Sequence, residues 1–166
     1  MRQTWHSLRE TPLTAIYSSP VRRAIESARE ADTHSPLATV DERLREIDFG
    51  EFEGLTYDEI ARLYPEKYDE WMTRPTEVTF PDGESFTAMA ARVHEAMDHI
   101  RGIHSGETVA IVSHGGVNRI ALATALELDP RRIFRLDQAY ACVNVIDYIR
   151  GEPLVRLVNA VARVPC

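Results

Sequence analysis

His114 is the residue with the most chemistry to offer. It sits in Val109-Ala-Ile-Val-Ser-His114-Gly-Gly-Val-Asn-Arg-Ile120. An apolar run, two glycines and an apolar helical pattern follow one another there. That order predicts a strand buried on both faces, a tight turn and a helix. Ser113 and His114 then stand at the carboxyl end of a strand, where backbone N–H groups of the next helix point. Open α/β sheets bind ligands at that end, and helix N-termini favour anions. An imidazole placed there can hydrogen-bond an anion or move a proton near neutral pH. The same residues also describe a strand–turn–helix corner with an incidental histidine, so the local pattern alone does not decide.

Two other clusters carry charge. Ser18-Ser19-Pro20 punctuates a short β-type run, and a helical stretch follows from about Val21 to Ala31. Ser19 fits an N-cap with Pro20 at the first helical position. Arg22 and Arg23 open that helix, at the end where the dipole prefers negative charge. The pair is unfavourable unless an anion sits between them or one is solvated. Four acids, Glu46, Asp48, Glu51 and Glu53, fall in one short loop with Gly50 and Gly54. They repel one another unless they are spread out or put to use.

The elements that must position these residues alternate. A helix-compatible stretch covers residues 1–12, and an extended run covers 13–17. After the first basic helix, another extended segment spans 38–47. Thr56 and Glu59 make a capping box for a helix that ends before Pro65. A short helix follows at 66–72 and a loop at 73–84. Phe86, Met89, Ala90, Val93, Met97 and Ile100 form the apolar face of a long helix over about 85–104. His94, His99 and His104 lie mostly off that face and read as surface residues, not metal ligands. Residues 142–149 and 154–158 read as a hairpin at one edge of the sheet. Strands alternating with helices predict a three-layer α/β/α sandwich with a mainly parallel sheet.

Bulk properties narrow the partners. A chain of 166 residues suits one domain with a real core. A net charge of −7 argues against nucleic acid as the main ligand, though a local Arg and His cluster can still hold a small anion. No apolar run approaches membrane-helix length, so no membrane partner is expected. Cys142 and Cys166 have no metal-ligand spacing, which predicts a reducing, cytoplasmic setting.

Three separated pieces coincide: Tyr17-Ser-Ser-Pro-Val-Arg-Arg23-Ala24, Leu44-Arg-Glu46-Ile-Asp-Phe-Gly-Glu-Phe-Glu-Gly54, and Ser113-His114-Gly-Gly. Their order and spacing resemble the histidine phosphatase superfamily, also called phosphoglycerate mutase-like. The likeness runs from about residue 8 to 159. The Gly83-Glu84-Ser85 start of the long helix fits it too. The resemblance implies a phosphomonoester hydrolase that works through a phosphohistidine on a small phosphorylated metabolite. The phosphatase branch fits better than the longer glycolytic mutases. No metal or other cofactor is implied, because arginine and histidine supply the positive charge. Arg23 matches the phosphate-clamping arginine, with Arg22 the alternative in register, and an always-charged planar fork suits phosphate oxygens. His114 matches the second core histidine, which steadies charge during transfer. Glu46 matches the acid–base carboxylate, ahead of Glu51 and Glu53. Ser19, Glu84 and Gly115 fall in the matching substrate pocket.

The departure is the nucleophile. In the family it belongs to an Arg-His-Gly motif at the end of the first strand, and this chain contains no Arg-His-Gly. His6, the only histidine upstream of Arg23, lies in helix-compatible sequence without a Gly-rich turn and is not assigned that role. The expectation is a chain truncated relative to the family, lacking the first strand and its phosphate loop, and inactive or impaired as it stands. The neighbours of that strand would expose unpaired backbone. A homodimer covering the open edge, a rearranged sheet or an altered edge would compensate. The alternatives to the hydrolase are a phosphoglycerate mutase and a non-catalytic phosphate-binding or interaction protein.

Overall fold

The computed structural model describes residues 2–31 and 37–162. Cys166 lies outside them. The chain forms helix α1 (Arg2–Leu8), strand β1 (Ala15–Ser18), helix α2 (Arg22–Arg29) and strand β2 (Ala38–Val40). Helices α3 (Tyr57–Leu63), α4 (Pro65–Thr73) and α5 (Phe86–Ile103) follow. Strand β3 (Val109–Val112), helix α6 (Gly115–Ala125) and strands β4 (Val143–Ile149) and β5 (Glu152–Ala160) complete it. Between β2 and α3 two single 3-10 turns, Glu42–Leu44 and Gly50–Phe52, shape the acidic loop.

The parallel sheet has the order β2-β1-β3. Side chains alternate across it, as strand geometry requires. Ala15, Tyr17, Val109 and Ile111 face a core that holds Met89, Val93 and Ile100 of α5 with Val117 and Ile120 of α6. Ile16, Ala38, Ala110 and Val112 face the other way, onto Trp5 of α1 and Ala28 of α2. Helices therefore cover both faces, which makes the α/β/α sandwich. The long helix buries the face its periodicity predicts, with Ala96 as its innermost small residue and Ala90 and Met97 at its margin. Fully burying a large aliphatic side chain stabilises by about 1.5–3 kcal/mol. Leu44, Met89 and Ile100 are each almost completely buried.

Four expectations change. Val109–Val112 is half-buried along its whole length, not buried on both faces. Its backbone pairs only with β1, so it ends the parallel sheet among the described residues. The hairpin β4–β5 does not extend that sheet; it forms a separate antiparallel pair that packs on α6. His104 is half-buried, not a freely exposed surface residue. It lies between Tyr17 Oη at 2.9 Å and the Glu107 carboxylate at 2.6 Å, because the end of α5 turns it back beneath β1. Ser19 is not the N-cap of α2. Val21 holds that position, and Ser19 Oγ, two residues earlier, accepts the Val21 N–H at 3.3 Å.

Elsewhere local chemistry sets the boundaries. The Thr56–Glu59 capping box forms in both directions at the start of α3. Ser85 caps α5 by accepting the Ala88 N–H. Free Cys142 is half-buried just before β4, where burial pushes its thiol pKa up, so it is a poor nucleophile. Among the described residues, no helix is long and apolar enough to cross a membrane, and no acidic, histidine or cysteine cluster is built to hold a metal ion.

Candidate active site

The site forms where β1 and β3 end side by side. The Ser19 N–H donates to Val112 O at 2.9 Å, extending the ladder by one residue. That bond sets Ser19 beside the corner that leads from β3 into α6. Ser19 is fully buried and His114 nearly so. Arg23, in the first turn of α2, donates from Nη2 to His114 Nδ1 at 3.0 Å. A guanidinium has no acceptor, so His114 Nδ1 must accept. The proton of the neutral ring therefore sits on Nε2, which donates to Ser19 Oγ at 2.7 Å. Burial, then the positive charges of Arg23 and Arg92, push the His114 pKa from 6.5 down to about 4. The imidazole is neutral at pH 7, with one fixed tautomer. An anion placed against Arg23 would raise that pKa again by offsetting the positive charge.

The acidic loop sends one carboxylate inward. Glu46 Oε2 accepts the Gly116 N–H at the start of α6, at 3.3 Å, and Oε1 accepts its neighbour's Ile47 N–H at 3.1 Å. Gly116 is needed for that approach. A Cβ at this position would collide with Glu46 Oε1 and stand 2.9 Å from the Met89 methyl. The other acids are spread out. Asp48 accepts the Gly50 N–H at 2.9 Å, and Glu53 accepts the Phe49 N–H at 3.4 Å. Gly50 has φ +54° and packs directly on the Pro81 carbonyl, which only a glycine allows. Glu51 is exposed.

The structure thus brings Arg23, His114, Ser19, Gly115 and Glu46 to one end of the sheet. Arg22 does not join them. Its side chain is 90% exposed and paired with Glu26 at 2.7 Å, whereas Arg23, though exposed as a residue, reaches His114. Glu84 stands one step behind Glu46, held in a two-pronged ion pair with Arg92. His6 is exposed on α1 and bonded to Arg9. Two residues of the site were not assigned from sequence. Ser113 Oγ donates to Leu44 O at 2.7 Å, tying the histidine corner to the acidic loop. Arg92 could have been noticed as a charge beside Met89 and Val93 on the apolar stripe of α5.

The family model of the histidine phosphatase superfamily (branch 1) matches residues 1–161. The chain belongs to this superfamily. Within it, the chain is 37% identical over 149 residues to a bifunctional protein of Mycobacterium tuberculosis, covering 89% of this chain and 41% of that one. It is 32% identical over 135 residues to phosphoserine phosphatase 1 of Hydrogenobacter thermophilus, covering 81% of this chain and 64% of the relative. It therefore spans between two fifths and two thirds of these relatives' lengths. Bacillus stearothermophilus YhfR superposes with a TM-score of 0.89 at 31% identity, covering 96% of this chain and 80% of that one. An α-ribazole-5′-phosphate phosphatase structure from Escherichia coli, described there as putative, shares the fold with a TM-score of 0.87 at 21% identity. It covers 96% of this chain and 79% of that one.

Proposed function

We propose that this chain supplies the phosphate clamp and the acid–base carboxylate of a phosphomonoester hydrolase of the phosphohistidine type. The observation that carries the reading is the contact of Arg23 with His114 Nδ1 at 3.0 Å, with the Glu46 carboxylate beside the same corner. Arg23 takes two phosphoryl oxygens in its planar fork. His114, freed from Ser19, turns its Nε2–H to a third oxygen and offsets the charge that builds during transfer. Glu46 protonates the leaving oxygen as the ester bond breaks, then accepts a proton from the attacking water. The histidine that carries the phosphoryl group in the superfamily belongs to an Arg-His-Gly motif, which residues 1–166 do not contain. These residues account for clamping and proton transfer alone.

The substrate class is a small phosphorylated metabolite. Relatives named as phosphoserine phosphatases support a phosphomonoester with a small alcohol leaving group. A relative named as a probable phosphoglycerate mutase keeps the mutase as the enzymatic alternative. The second reading is a non-catalytic phosphate-binding protein, favoured by the Arg23–His114 pair, which can hold an anion without any covalent step. A second copy lying along the side of β3 that pairs with no strand among the described residues would cover its backbone. That homodimer is part of the proposal, and sedimentation equilibrium checks it.

The deciding assay offers p-nitrophenyl phosphate to the chain and to His114→Ala. Turnover lost in the variant supports the hydrolase. Thermal stabilisation by inorganic phosphate without turnover supports the binding protein. Absence of both overturns the phosphate site itself.

A further inference from the structure

Arg92 lies behind the site and touches none of Arg23, His114 or Ser19. Its guanidinium uses all five of its N–H donors on one short segment and one acid. Nη1 donates to Arg43 O at 2.8 Å and to Arg45 O at 2.6 Å. Nη2 donates to Glu46 O at 3.2 Å and to Glu84 Oε2 at 2.7 Å, and Nε donates to Glu84 Oε1 at 2.7 Å. Glu84 completes the frame through its own backbone, whose N–H donates to Asp48 O at 2.9 Å. Ser113 takes the Leu44 carbonyl. The carbonyls of residues 43, 44, 45, 46 and 48 are thus each held from outside the segment.

That saturation matters because the segment has no ladder of its own. Past the turn at Glu42–Leu44 it runs in irregular backbone until Gly50. Irregular backbone keeps a fixed path only where its polar groups find partners. Glu46 is the residue at its centre, and its carboxylate must meet the Gly116 N–H across the gap to α6. Arg92 is rooted in α5, whose apolar face is packed in the core, so the frame is anchored to a rigid element. The ion pair with Glu84 offsets the arginine's charge, with both side chains less than one fifth exposed.

We infer that Arg92 is the positioning residue for Glu46: it fixes the 43–48 segment so that the Glu46 carboxylate stays at the N-terminus of α6. The inference rests on the reading of Glu46 as the acid–base group, and it concerns geometry that can be read without turnover. Lysine at 92 keeps the charge but offers three donors from one point, so it cannot span these acceptors.

The test follows the Gly116 amide by NMR in the parent chain, Glu46→Gln and Arg92→Lys. Glu46→Gln sets the direction in which the Gly116 resonance moves when the carboxylate is lost. Arg92→Lys is expected to move Gly116 in that same direction and to speed its hydrogen exchange about tenfold, while amides of the Thr56 capping box stay in place. A folded Arg92→Lys protein whose Gly116 resonance and exchange match the parent overturns the inference. If Arg92→Lys does not fold, Glu84→Gln serves in its place. It weakens the ion pair and keeps a neutral acceptor, and the same Gly116 shift is expected, with its absence again contradicting the inference. Phosphate titration of the parent chain tests the functional reading separately, so either can fail alone.

Discussion

Arg23 and His114, far apart in the chain, meet through one hydrogen bond of 3.0 Å from Nη2 to Nδ1. The bond joins the first turn of α2 to the residue that caps α6. It fixes the histidine's tautomer and directs its Nε2–H toward Ser19. Together with burial, which is the larger cause, the arginine's charge keeps the ring neutral.

Replacing Arg23 by methionine removes that charge and the donor. The His114 midpoint, about 4 in the parent, is expected to rise toward its ordinary value, and phosphate binding should be lost. A pH titration of the imidazole resonances checks the first outcome, and calorimetry with inorganic phosphate checks the second. An unmoved midpoint would mean that burial and Arg92, without Arg23, govern the ring.

Stability should follow the same group. Its folded-state midpoint lies below the ordinary 6.5, so between pH 6.5 and about 4 the unfolded chain binds more protons. The stabilisation from keeping a neutral ring is fully present above pH 6.5. It is lost as the pH falls to about 4, by an amount on the order of 3 kcal/mol. Denaturant unfolding across that window should show this slope in the parent and a flatter one in His114→Gln.

Gly116→Ala separates packing from helix propensity. In an ordinary helix this change is stabilising by up to about 1 kcal/mol. Here the new methyl would collide with Glu46 Oε1 and crowd Met89, so a net loss of about 1–3 kcal/mol is expected. Thermal or urea unfolding gives the sign, and a stabilised variant would contradict the placement of Glu46.

Thr56→Ala provides a control away from the site. It removes the half of the capping box in which Thr56 Oγ1 accepts the Glu59 N–H and should cost about 1 kcal/mol. Phosphate affinity measured by calorimetry should not change.

Much of this was legible in residue order, and the reasons differ by element. The apolar spacing of α5 marks a helix face directly, and the capping box at Thr56 marks a start. Ser-His-Gly-Gly at a strand end leaves an anion corner and an incidental histidine both open, and it is the resemblance to the superfamily that points to Arg23 and Glu46 as its companions. Tertiary choices were not legible. Nothing local says that Ser19 gives up the N-cap position for a bond with His114, or that His104 folds back under Tyr17. The detached hairpin depends on which strand stands beside β3, a long-range pairing that no window of sequence encodes. Arg92 hides for a different reason: besides Glu84 its partners are backbone carbonyls, which carry no side-chain signature.

The central claim is that Arg23, His114 and Ser19 form one phosphate pocket, and a single titration tests it most directly. Inorganic phosphate is added while the imidazole resonances of His114 are followed as a function of pH. The account predicts saturable binding of one phosphate per chain, a His114 midpoint that climbs from about 4 as the anion offsets the charge of Arg23, and loss of both effects in Arg23→Met. Saturating phosphate that leaves the His114 resonances and midpoint where they were would contradict it.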